Sequence, residues 1–190
     1  MAKRLMSYRG RKLAMGTAVA AAIVAGTAVA AHLVTQPSPG HAQVAWAESS
    51  WDMPLDNWGE GRAWRATAPD GAQLRLFART KSGFCNCFSG IANDDEIDRI
   101  GDVDLHGDDF SPVAPGVVTS LGSLAGRKQL FQTSGHWTAG RFVLSIVAAT
   151  GCKAVVATIV SGETIPPEAE ATAVALLTGE EFRRWAANQQ

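Results

Sequence analysis

The sequence predicts an α+β domain: a mostly antiparallel sheet of about five strands with a C-terminal helix packed on it, behind an N-terminal apolar leader helix. Three observations carry that expectation. Two long, apolar, β-branched runs, 141–150 and 152–160, meet at Gly151. Two alternating runs, 62–68 and 73–79, are separated by Pro69-Asp70-Gly71. After Pro166-Pro167, Ala169, Ala173, Leu176 and Leu177 recur at helical spacing. The first two patterns are those of antiparallel hairpins, and the third is that of a helix with one apolar stripe.

The chain is expected to divide into a leader (1–42), a Trp-rich arm (43–61) and a single α+β domain (62–190). Lys3, Arg4, Arg9, Arg11 and Lys12 form a basic start, Leu13 to Val34 carries no charge, and Pro37 to Gly40 breaks any helix. Gly40-His41-Ala42 is a small-x-Ala cleavage pattern, and Ala28-Val29-Ala30 is an earlier one. That order is the order of a secretory signal peptide. Residues 13–34 are also long enough to act as an uncleaved anchor, since about 20 apolar residues span a bilayer. Either way the expectation for the remainder is periplasmic or secreted, with the membrane reached only through 13–34.

Export changes the charge of the remaining chain. Five of the 17 basic residues lie in the leader and all 18 acidic residues lie beyond it, so residues 43–190 carry 12 against 18, a net −6. An acidic domain argues against nucleic acid as partner and points to a protein or other envelope component.

In the arm, Trp46, Trp51 and Trp58 alternate with acids without a period, which reads as aromatic packing anchors, with an aromatic ligand-stacking surface as the alternative. Proline presets φ and glycine accepts φ > 0 in Pro69-Asp70-Gly71, so 62–68 and 73–79 pair as a hairpin. Leu74 and Leu76 then share one face, and Arg75, Phe77 and Arg79 the other. Asn93 is a suitable N-cap for a short helix led by Asp94, Asp95 and Glu96, with Ile97 and Ile100 inward and Gly101 as its stop. Residues 102–106 alternate as in a short strand or extended loop, 111–123 read as loop, and Arg127 to Thr133 reads as a strand. Pro167 suits a first helical turn, and Glu180 to Ala187 adds a second short helix with Phe182 and Trp185 inward.

Three constellations could carry chemistry. The first is Phe84-Cys85-Asn86-Cys87-Phe88, with Cys152 as the third cysteine. In an oxidising compartment an odd count suggests one disulfide and one spare thiol. Cys85 and Cys87 would lie near the upper limit for a bridge, about 6.8 Å, so a bridge from one of them to Cys152 is the easier closure. The alternative is a soft-metal or thiol-redox site in which Cys85, Cys87 and His106 hold Cu or Zn. The second constellation is Asp102-Val103-Asp104-Leu105-His106-Gly107-Asp108, which echoes a Ca²⁺ loop. His106 stands where Asp or Asn belongs and Val113 where the bidentate Glu belongs, leaving Asp102, Asp104 and Asp108 as a weak Ca site. The bland alternative is a solvated acidic face. The third is Ser134-Gly135-His136, which lacks a Gly-x-Ser-x-Gly elbow and does not make a hydrolase. No catalytic set emerges.

The Gly126-Arg-Lys-Gln-Leu-Phe131 strand, the two apolar strands and the Ala-rich helix with Ala173, Leu176, Leu177 and Phe182 resemble exported PsbP-like α/β/α sandwich proteins over residues 62–187. The resemblance rests on element order and implies an accessory or binding role; it supplies no site residues. The expected function is therefore an exported, non-catalytic binding or accessory protein of the cell envelope, with the soft-metal or thiol-redox protein as its alternative.

Overall fold

The computed structural model describes residues 44–83, 90–135 and 138–189. The chain divides into two units, Met1–His41 and Ala42–Gln190. The first unit, and with it the expected leader, lies outside the described residues. The second unit holds the whole of the sheet.

The sheet has eight strands rather than about five. They are β1 (Ala47–Ser49), β2 (Arg62–Thr67), β3 (Gln73–Ser82), β4 (Asp109–Pro112), β5 (Val117–Leu121), β6 (Leu124–Gly135), β7 (Thr138–Thr150) and β8 (Lys153–Ser161). Their order is β1-β2-β3-β8-β7-β6, with β4 and β5 both paired along the outer side of β6. Every pairing is antiparallel. The three unforeseen strands, β1, β4 and β5, are short and sit at the sheet's edges. Most of their residues face solvent, so they lack the apolar alternation that marks a half-buried strand. Pro112 in β4 and Pro115 before β5 further disguise them, because proline within a sheet is confined to edges.

Among the described residues three helices accompany the sheet, α1 (Asp94–Ile100), α2 (Pro167–Leu177) and α3 (Glu180–Ala187), together with a 3-10 helix at Val103–His106. Residues 103–106 are thus helical rather than extended. The short helix starts on Asn93, whose Oδ1 accepts from the Glu96 amide at 3.2 Å, and ends where the Gly101 amide donates to Ile97 O at 2.7 Å. The β2–β3 turn is closed by Gly71 N donating to Ala68 O at 2.9 Å, with Gly71 at φ +92°. An L side chain would be strained there.

Helices cover both faces of the sheet, not one. On the first face Trp64, Leu76, Ile146 and Ile159 pack against Ala173 and Leu177 of α2 and Phe182 of α3. On the second, Ile97 and Ile100 of α1 and Val103 pack on Phe131, Val147 and Val156. Burial on both faces explains why β7 and β8 read as nearly continuous apolar runs. Along β7, Leu144 and Ile146 serve one face while Val143 and Val147 serve the other. Buried Ser145 donates its Oγ to Gly101 O at 2.8 Å, which fixes the end of α1 on the sheet.

The arm is part of this core. Trp46 Nε1 donates to Thr172 Oγ1 of α2 at 3.0 Å, and Trp51 meets Phe77 edge-on with ring centroids 5.6 Å apart. Trp58 stays about one-third exposed, over Lys81. No helix among the described residues is long and apolar enough to cross a membrane.

Candidate functional site

Asp95, Asp98, Asp104, Asp108 and Asp109 are exposed, as a solvated acidic face requires, but Asp102 is not. Asp102 is buried, and it is turned toward two cations rather than toward Asp104 and Asp108, which are exposed. Arg79, only 1% exposed, donates through Nε and Nη2 to the two Asp102 oxygens at 2.7 and 2.6 Å. Its Nη1 and Nη2 donate to the two Asp56 oxygens, each at 2.7 Å, and Nη1 also reaches Gly59 O at 3.1 Å. All five guanidinium N–H groups are therefore engaged. Lys81 Nζ lies 2.5 Å from Asp102 Oδ1. The expected Asp102, Asp104 and Asp108 set is not brought together, and among the described residues no group of three or more His, Cys, Asp or Glu could hold a metal. Asp94 is engaged as well, accepting from Gly116 N at 2.9 Å and from Arg127 Nη2 at 2.5 Å.

Burial works to lower the Arg79 pKa, but its hydrogen bonds to Asp102 and Asp56 outweigh that and raise it. The same hydrogen bond from Arg79 holds Asp56 below the ordinary carboxylate range, against partial burial. Asp102 itself sits at φ +59°, in the left-handed region that Asp and Asn tolerate better than most residues. The two cations hold it there.

Further along the chain, His106 is buried between Phe77, at 5.4 Å between ring centroids, and Thr158, whose Oγ1 lies 2.8 Å from Nε2. Burial lowers its pKa from 6.5 to about 4; Asp102 opposes the shift, and Arg141 and Arg75 add to it. His106 therefore serves the core as a neutral ring with Nε2 already engaged. A cavity of about 440 Å³ opens beside it, lined by Met53, Phe77, Leu105, Arg141 and Val160 among others.

Of the cysteine set, Cys85 and Cys87 lie outside the described residues, as does His136 of the Ser134-Gly135-His136 motif. Cys152 occupies the β7–β8 turn. Its carbonyl accepts from Gly83 N at 2.9 Å, in register with the Ser82–Lys153 pair. Gly83, two residues before Cys85, thus lies directly beside Cys152. Ser134 lies exposed on β6, opposite Asp109 of β4.

A second concavity was not foreseen. It is a cleft of about 370 Å³ where the ends of β3 and β8 and the β5–β6 turn meet α2 and α3. Leu121, Leu124, Ala154, Val155, Leu177 and Phe182 give it an apolar lining. Hydroxyls of Thr80, Ser82, Thr150 and Thr178 line it too, with Lys153 and Arg183 as its charged residues. That composition, mostly apolar with a few polar groups, and that volume are typical of small-molecule sites. Separate parts of the sequence build it, so no local motif announces it. No known family model matches the chain, and no curated protein does.

The buried cluster predicts a stability effect. Replacing Arg79 by Met leaves Asp102 buried beside Lys81 alone and frees Asp56; urea unfolding should show a loss of about 3–5 kcal/mol, the usual cost of removing one partner of a buried pair. Arg79→Lys should recover only part, because an ammonium cannot grip two carboxylates bidentately. A loss within about 0.5 kcal/mol for Arg79→Met, the range of an ordinary surface change, would contradict the role given to the cluster.

His106 predicts a pH effect. A histidine whose folded pKa lies below its unfolded value takes up its proton preferentially in the unfolded chain. The His106 contribution is thus intact above pH 6.5 and is lost as pH falls toward 4. With the pKa falling from 6.5 to about 4, the loss should approach about 3 kcal/mol. His106→Gln should flatten unfolding free energy against pH in that window relative to the unchanged protein. Parallel curves would show that His106 is not buried neutral.

Proposed function

We propose that this chain is an exported, non-catalytic binding domain of the cell envelope, periplasmic or secreted unless residues 13–34 stay as an anchor, and that it holds its ligand in the cleft between the sheet and the C-terminal helices. The carrying observation is the cleft's character: an apolar lining open to solvent on a domain whose charge is otherwise strongly acidic. The leader's composition supports export, and the PsbP-like resemblance implies an accessory role. The cysteines serve structure in this reading: one of Cys85 and Cys87 is bridged to Cys152. The Gly83–Cys152 backbone hydrogen bond supports that, since Cys85 follows Gly83 by two residues and an extended chain spans at most about 3.6 Å per residue.

The cleft is tested with N-phenyl-1-naphthylamine, a neutral apolar fluorophore. The domain over residues 43–190 should bind it saturably with one site. Ala187→Trp, which places a large ring on the cleft-lining face of α3, should abolish the signal with little change in the urea midpoint. Binding that survives Ala187→Trp would move the site elsewhere.

Thiol counting on the oxidised, folded domain separates the cysteine readings. One thiol should react in denaturant before reduction and three after it. Three reactive thiols before reduction, with stoichiometric Cu(I) uptake, would favour the soft-metal or redox alternative instead.

A further inference from the structure

We propose that the ligand of this cleft is a monomeric, single-chain anionic amphiphile: an alkyl or acyl chain lying on the apolar lining, with its carboxylate or phosphate head at Lys153 and Arg183. The inference rests on the cleft being the binding site, as proposed above, and it adds the chemistry of the occupant.

Charge placement carries it. Residues 43–190 contain twelve lysines and arginines. Eight of them (Arg62, Arg75, Arg79, Lys81, Arg99, Arg127, Lys128 and Arg184) are salt-bridged to carboxylates among the described residues. Among those same residues Arg65, Arg141, Lys153 and Arg183 are not, and two of the four line this one cleft. No described acidic residue lines it, although the domain holds 18. In a protein that neutralises most of its cations internally, two unneutralised cations beside an apolar trough form a head-group site of defined sign. Both are exposed, Lys153 at the start of β8 and Arg183 on α3, so they can meet a head in water while the chain is withdrawn from it. The hydroxyls of Thr80, Ser82 and Thr150 are further donors on the same lining. A neutral apolar ligand would leave the cations unused. A cationic one would be repelled, with no carboxylate in the described lining to receive it.

The trough is lined by Leu124, Val155, Leu177 and Phe182, side chains that offer dispersion and apolar burial without directional constraint. A flexible alkyl chain suits such a lining. The volume, about 370 Å³, lies at the small end of ligand cavities, which favours one chain over the two of a bilayer phospholipid.

The test uses three competitors with the same chain, each below its micelle concentration: dodecanoate, dodecanol and dodecyltrimethylammonium. Each displaces N-phenyl-1-naphthylamine from the domain over residues 43–190. Dodecanoate should compete best, with the ammonium about tenfold or more weaker, as two solvent-exposed charge contacts would give. Dodecyl phosphate should follow dodecanoate. The gap should narrow in high salt, because exposed charges are screened. In Lys153→Glu/Arg183→Glu the order of dodecanoate and ammonium, each referred to that variant's own fluorophore affinity, should reverse.

The outcomes separate the two claims. If the fluorophore does not bind, or binds equally to Ala187→Trp, the cleft itself is not the site. If it binds at the cleft but the three heads compete equally, or the order survives charge reversal, the cleft stands and the anionic amphiphile falls. Co-sedimentation with phosphatidylglycerol vesicles in the absence of any dodecanoate competition would also overturn it, in favour of a membrane surface.

Discussion

Arg79 is the residue on which the fold's second face depends. It projects from the middle of the sheet toward the α1 side and binds two carboxylates that come from opposite directions along the chain, Asp56 from the arm and Asp102 from the end of α1. Each is 23 residues away. A guanidinium is the one side chain that can satisfy both bidentately, since its five donors form a rigid fork. Burying it is costly, and the cost is offset only because every donor is engaged and Lys81 helps balance the second carboxylate. The consequences are geometric. Asp102 is held at positive φ, which turns the chain from α1 into the 3-10 helix and places His106 against Thr158. The arm is held down at Asp56 and Gly59, which lets Trp51 lie against Phe77. Ionic grip, backbone turn and aromatic packing are one unit here.

That unit also divides the labour of the two faces. The α1 side joins apolar contact, Ile97, Ile100 and Val103 on Phe131, Val147 and Val156, to charge: its cations at Arg79, Lys81 and Arg127 are consumed by internal carboxylates. The α2–α3 side is closed by apolar contact, and that closure is incomplete. Leu177 and Phe182 pack on the sheet and also line the cleft, together with the end of β3 and the start of β8.

Legibility in the sequence depends on the range of the interactions. The β7–β8 pair, the Pro69-Asp70-Gly71 turn and the Asn93 cap were all legible because local chemistry decides them. The edge strands were not, because an edge strand such as β5, with Val118 76% exposed, has only its pairing to β6 to define it. The Asp102 assignment failed for a related reason. Spacing within 102–108 suggested that neighbouring acids share an ion, whereas the partners of Asp102 lie on β3. One clue was present: Arg75 and Arg79 share a strand face with Phe77, and a buried aromatic on that face implies a second covering layer. The cleft had no local signal, since strand ends, a turn and two helices compose it.

The cysteines and the cleft meet in one place. Ser82 lines the cleft, Gly83 donates to Cys152, and Lys153 comes directly after Cys152. The bridge proposed for Cys152 would tie the outgoing end of β3 to the β7–β8 turn, two of the pieces that frame the cleft. Closing a loop of that length contributes about 4 kcal/mol in the chain-entropy model. β3 and β8 already pair over nine residue positions from Leu74 to Ser82. A covalent tie just past the end of a strand acts also on the local opening of its last pairs. Its effect would be to hold Ser82 and Lys153 at a fixed separation. On that proposal the Cys85–Cys87 stretch would matter to function through geometry, setting the position of one cation at the cleft rather than supplying reactive sulfur.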